Sequence, residues 1–179
     1  MFGRRGTAVV LGSLALVVST FVAAPAGTAG TGADDGSVTC TGDATSRYDP
    51  PLTLQPRRTR NIAEVRYSCT TGPGRTVRAT STFVSTAPSA SCLSYSPANG
   101  TETVRWADGA RSVIRIDSAT VVRVAGYLIS EQSGRVVEGR GRGHAVRRSV
   151  TASSRQLPTD CLGSGLKGTT SGVQLEILP

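Results

Sequence analysis

Ile62-Ala-Glu-Val-Arg-Tyr-Ser-Cys-Thr70, then Gly72-Pro-Gly74, then Thr76-Val-Arg-Ala-Thr-Ser-Thr-Phe-Val-Ser85, is the stretch that decides the fold. Ala63, Val65, Tyr67 and Cys69 share one parity, and Glu64, Arg66 and Ser68 share the other. After the Gly-Pro-Gly break, Val77, Ala79, Ser81 and Phe83 alternate with Arg78, Thr80 and Thr82. Side chains of an extended strand point to opposite faces in turn, so a period of two means two strands, each with one buried face. The glycine-proline cluster between them is a turn.

The same reading extends outward. Ser37–Thr41 is a short first strand holding Cys40, and Tyr48–Arg58, with Pro50, Pro51 and Pro56, is an edge or loop-like extended segment. Ala90–Ser96 reads as a strand carrying Cys92. Asn99-Gly100 and Asp108-Gly109 supply hairpin turns on either side of Thr101–Ala107, where Val104 and Trp106 share a face. Arg111–Ser130 is a long β stretch containing Ile114 and Ile116, with a break near Asp117-Ser118 and a turn at Ser133-Gly134. Residues 151–169 form a loop holding Cys161, and Gly172–Leu178 closes the domain with Val173, Leu175 and Ile177 inward. No helical period runs through ten residues of this region. The expectation is an all-β domain over 37–179, a single antiparallel β-sandwich or barrel of about nine strands.

Residues 1–29 read differently. Arg4 and Arg5 precede an uncharged apolar run, Thr7–Ala24, and small residues follow at Ala24, Ala26 and Ala29. That is the layout of a secretory signal peptide, with 30–36 as a flexible lead-in. The chain is therefore expected outside the cytoplasm, with no membrane association once the signal is cleaved. In an oxidising compartment its four cysteines, Cys40, Cys69, Cys92 and Cys161, form a disulfide framework. Four cysteines allow three pairings, and the sequence does not select among them; Cys40–Cys69 with Cys92–Cys161 is the pairing taken as the expectation. The wide spacing of the cysteines and a single histidine, His144, speak against a metal site, and no cofactor is expected.

The chain of 179 residues carries a formal charge of +8, and Lys167 is its sole lysine. Arginine in place of lysine, beside abundant Ala, Gly, Thr and Val, fits a GC-rich genome. The sharpest local feature is Glu138-Gly-Arg-Gly-Arg-Gly-His144. Read as a strand, it puts Glu138, Arg140, Arg142, His144 and Val146 on one side and a row of glycines on the other, which Trp106 or Tyr127 could cover. Arg140, Arg142 and His144, extended by Arg147 and Arg148, are the candidate anion-binding residues, since guanidinium forks grip phosphate, sulfate and carboxylate. The bland account of the same residues is a solvated strand face. Arg57-Arg58-Thr59-Arg60 reads as charge guarding an edge strand. Aromatic stacking platforms are missing from both basic runs, so no specific nucleic-acid partner is expected.

Val38-Thr-Cys-Thr-Gly42, Leu52-Thr-Leu-Gln-Pro-Arg57, Ser91-Cys-Leu-Ser94, Thr103-Val-Arg-Trp-Ala-Asp-Gly109 and Asp160-Cys-Leu-Gly163 together resemble a group of small secreted actinomycete proteins of unknown function. The resemblance implies an extracytoplasmic β fold and no particular chemistry, and the arginine-glycine run departs from it. No catalytic residue stands out: there is no Gly-x-Ser-x-Gly elbow, and His144 has no evident serine and carboxylate partners. The functional expectation is a secreted non-enzymatic module with a binding or envelope-associated structural role. Its expected partner is an acidic envelope polymer or another secreted protein. The rivals are an extracytoplasmic hydrolase with a dispersed site and a protease inhibitor presenting a loop such as Pro88–Cys92.

Overall fold

The computed structural model describes residues 36–95, 99–124, 127–153 and 157–179. The expected signal segment lies outside these residues, as does most of the lead-in. Among the described residues eight strands run β1 Val38–Leu52, β2 Arg57–Gly72, β3 Arg75–Ala90, β4 Gly100–Trp106, β5 Arg111–Val124, β6 Tyr127–Gly139, β7 Ala145–Ser153 and β8 Leu166–Leu178, with one short helix, α1 Leu157–Leu162, before the last. Each strand pairs antiparallel with the next, and β8 pairs with β1, so the sheet closes into a barrel. Closure removes the unpaired edges that an open sheet must protect.

Strand parity builds the interior. In β2, Thr59, Asn61, Ala63, Val65, Tyr67 and Cys69 point inward and are buried, while Arg58, Arg60, Glu64, Arg66 and Ser68 point to solvent. The main core gathers Val65, Tyr67, Val104, Trp106, Ile114, Ile116, Val136, Val146, Leu175 and Ile177. A smaller cluster of Leu52, Ala87, Ala90, Cys92, Cys161 and Leu166 caps the other end. Both expected disulfides are present. Cys40 and Cys69 are register partners on β1 and β2, and Cys92–Cys161 ties the β3–β4 loop to α1. A chain that carries two such bonds belongs to an oxidising environment. No helix among the described residues is long and apolar enough to cross a membrane.

Several local expectations are corrected. β1 does not stop at Thr41: it continues through Pro50 and Pro51 to Leu52, and the ladder to β8 shifts register between Arg47 and Leu52, where prolines need donate nothing. In the expected strand Ala90–Ser96, Ala90 ends β3 and residues 91–95 are a loop bridged back to Ala90 at Tyr95, while Ser96 lies outside the described residues. Gly100 opens β4 rather than ending a turn; a Cβ there would lie 2.6 Å from the Phe83 ring. Ser133-Gly134 sits within β6, and glycine is needed because a Cβ would approach the Arg115 carbonyl oxygen to 1.9 Å. Residues 151–169 contain the end of β7, α1 and the start of β8. Asp108-Gly109 does form a turn, with Gly109 at φ 86° and Trp106 N–H donating to the Ala110 carbonyl at 2.9 Å.

Candidate functional site

The inward rows of the barrel change character from one end to the other. Near the β4–β5 and β6–β7 turns the interior is filled by Trp106, Ile114, Val136, Leu175 and Ile177. Toward the other mouth the same strands present Ala44, Ser46, Asn61, Ala63, Ser130, Gln132, Ala152 and Ser171. Small side chains on converging strands leave room. The result is a chamber of about 60 Å³, walled also by Phe83, Val150, Tyr48, Tyr95 and Leu128.

Its floor is a charged layer. Glu102 is 0% exposed and Arg148 2%. Arg148 Nε and Glu102 Oε2 lie 3.1 Å apart, an ion pair whose angle falls outside hydrogen-bond geometry. Arg148 also donates to Gln132 Oε1 at 3.0 Å, and its guanidinium packs 4.5 Å from the Phe83 ring centroid. The other carboxylate oxygen of Glu102 accepts from the Tyr67 hydroxyl at 2.9 Å and from Ser81. Burial works against the Arg148 charge, but the Glu102 carboxylate and the Tyr67 hydroxyl outweigh it, so the guanidinium pKa is raised. Burial, reinforced by Glu102, pushes the Tyr67 hydroxyl far above the ordinary tyrosine value. Within the layer one carboxylate faces one guanidinium, so the two charges offset each other.

Above this floor two polar atoms have no protein partner. Asn61, 8% exposed, leaves Oδ1 unpaired, and Ser171, 9% exposed, leaves its hydroxyl unpaired. Buried polar atoms are almost always hydrogen-bonded, because an unmet one costs about 1–3 kcal/mol. The mouth is flanked by Tyr48, whose hydroxyl is 3.1 Å from Thr169 Oγ1, and Tyr95, whose hydroxyl is 3.4 Å from Ser85 and also faces Asn61. The two rings meet edge to face at 6.1 Å, and burial raises both hydroxyl pKa values. An adjoining groove of about 50 Å³ shares Tyr48, Tyr95, Leu128, Ala152 and Thr169 with the chamber and adds Leu52, Leu93 and Leu166.

The arginine-glycine run lies at the opposite end and is not a strand. β6 ends at Gly139, and residues 140–143 turn the chain into β7, with Gly139, Gly141 and Gly143 at φ 80°, 73° and 91°. Left-handed backbone at every second residue explains the glycines and destroys the two-sided pattern. The candidate anion-binding residues are therefore dispersed. Arg140 pairs with Asp108 and lies 5.3 Å from the Trp106 ring centroid. That pairing, with the Ala110 amide, holds the Asp108 carboxyl below its ordinary value. Trp106 does not cover a glycine row; it meets the run through Arg140 and through a hydrogen bond to Ser112, which in turn donates to the Arg140 carbonyl. Arg142 and Arg147 are exposed and His144 half-buried, whereas Arg148 is in the barrel interior.

The arginine cluster at the start of β2 pairs with β3 from Arg57 onward but with β1 only as far as Arg60, so Arg57–Thr59 keep one side outside the ladder, and Arg57 donates to the Pro51 carbonyl. In the Pro88–Cys92 segment Pro88 and Ser89 are exposed, whereas Ala90, Ser91 and Cys92 are buried against the cap.

Sequence reasoning missed Glu102, Asn61 and Ser171. The signal was parity, for Glu102 shares a face with Val104 and Trp106, Asn61 with Ala63 and Val65, and Ser171 with Val173 and Leu175. A charge or amide on an inward row marks a polar interior. No family model, curated protein or solved structure matches the chain.

Proposed function

We propose that this chain is an extracytoplasmic, non-enzymatic binding module that takes a small molecule into the chamber at the capped mouth of its barrel. Eight strands enclose a space that side chains can fill or that one small ligand can occupy. One observation carries the reading: Asn61 Oδ1 and Ser171 Oγ are buried without protein partners in the half of the interior lined by small residues. Unmet polar atoms beside open volume are what a ligand's hydrogen bonds would satisfy. The chamber lining contains no carboxylate, histidine or cysteine, which favours binding over proton-transfer or nucleophilic chemistry. The two disulfides, and the resemblance to small secreted proteins, support a role outside the cytoplasm.

The test is a titration of ¹⁵N-labelled protein with acetamide as a minimal probe. Saturable shifts confined to Asn61, Ala63, Ser171 and their neighbours are expected, and Ala63→Leu, which fills the chamber, should abolish them. Dispersed, non-saturating shifts would remove the reading. Attraction of acidic polymers to the exposed arginines would then remain as a separate, salt-screened property of the exterior.

A further inference from the structure

Resting on that reading, we infer that the ligand is a neutral amphiphile, with a head bearing an N–H or O–H donor held at Asn61 and a short apolar tail laid past Tyr48 and Tyr95 into the adjoining groove. Three observations define this class. The unpaired atom of Asn61 is a carbonyl oxygen, which only accepts, so the head must donate; the Ser171 hydroxyl can serve in either sense. Arg148, the cation in the chamber lining, is neutralised by Glu102 at 3.1 Å. A carboxylate or phosphate head would then bury a negative charge with no free counter-charge, which is far costlier than burying a neutral amide. The groove that continues from the chamber is walled by Leu52, Leu93, Leu128 and Leu166. Leu93 is 73% exposed, so most of its apolar surface is left uncovered among the described residues. Five residues common to chamber and groove make them one continuous site with a polar inner part and an apolar outer part.

Calorimetric titration of the intact protein at pH 7 tests each part with four probes: acetamide, hexanamide, hexanoate and N,N-dimethylhexanamide. Affinity should rise about fourfold for each methylene added to the amide until the groove is filled. Hexanoate, which is charged, and the dimethylamide, which lacks a donor, should each bind about tenfold or more weakly than hexanamide. Asn61→Leu should erase the difference between hexanamide and its dimethyl form, while its melting temperature shows that it folds. Ser94→Trp, at an exposed position that lines the groove and not the chamber, should flatten the dependence on chain length and keep acetamide binding. Leu93→Asp, at an exposed position that folding does not need, should reduce the same dependence if the tryptophan variant does not fold. Acetamide binding with no gain on lengthening the chain would overturn the groove. Hexanoate binding as tightly as hexanamide would overturn the neutral head. Failure of every probe to saturate would overturn the chamber itself.

Discussion

The two ends of this barrel are made by the same eight strands under the same parity rule, yet one is solid and the other hollow. At the solid end Trp106, Ile114, Leu175 and Ile177 fill the interior, and short turns close over them, with Arg140 clasped between Asp108 and the Trp106 ring. At the hollow end alanine and serine replace them, and closure is left to the β3–β4 loop and α1, tied by Cys92–Cys161. Between the ends lies the Tyr67–Glu102–Arg148–Gln132 layer. Parity settles which side chains face inward, but side-chain volume settles whether an inward face becomes core or cavity. Stability and binding are therefore assigned to different halves of one closed sheet.

The largest effect that would test this division comes from alkaline pH, which acts on both halves at once. Tyr67 in the middle layer and Tyr48 and Tyr95 at the mouth all hold their hydroxyls above the ordinary value of 10.0, chiefly through burial. The unfolded chain releases those protons near pH 10 while the folded chain retains them. Their contribution to stability is thus fully present below pH 10 and is lost as the pH climbs past it. Absorbance of tyrosinate and near-ultraviolet circular dichroism should change together in one cooperative step. Ionisation of these three tyrosines with the fold intact would break the picture of a sealed middle layer.

Next in size is the layer itself. Arg148→Met leaves Glu102 buried without its counter-charge and should cost about 3–5 kcal/mol in urea unfolding. Adding Glu102→Leu should recover most of that loss, because a buried ion pair is costly to break but cheap to replace with apolar packing. A single variant as stable as the parent would mean that the layer is wetter than its burial implies.

The comparison is sharpest when equal truncations are made at each end. Val136→Ala, in the solid half, should cost about 2–3 kcal/mol, since a cavity opens among side chains that cannot collapse into it. Val150→Ala, on the chamber wall, should cost about 1 kcal/mol, since the space beside it is already open. Equal costs, measured by denaturant midpoint, would mean that the two halves are packed alike.

Much of the fold was legible because alternation over Ile62–Ser85, Val104–Trp106 and Val173–Ile177 survives in the structure residue by residue. Alternation is the same in a sandwich and a barrel, so closure could not be read. It depends on β1 meeting β8, a pairing between opposite ends of the domain. Glycines misled in both directions. Gly100 and Gly134 suggested turns, but each is required by a neighbour's close approach within a strand. Gly139, Gly141 and Gly143 suggested an open strand face, but each makes a turn. The site was less legible than the fold. Arg148 reads by its charge as part of an outer surface, while Asn61 and Ser171 carry no motif and matter only because of what converges around them.

The bond between Cys92 and Cys161 also bears on how the seam between first and last strands is found. Every other strand pair is made of consecutive segments and closes a short loop, whereas β1 and β8 must meet across nearly the whole domain. Bringing such distant segments together is what slows the folding of sheet proteins. Since Cys161 lies just before β8, the cross-link, which spans a sequence separation of 69, shortens the path between the two partners and delivers the last strand to the neighbourhood of the first. In its oxidised form the chain makes its final pairing across a shortened path; in its reduced form it must close nearly the whole domain at once.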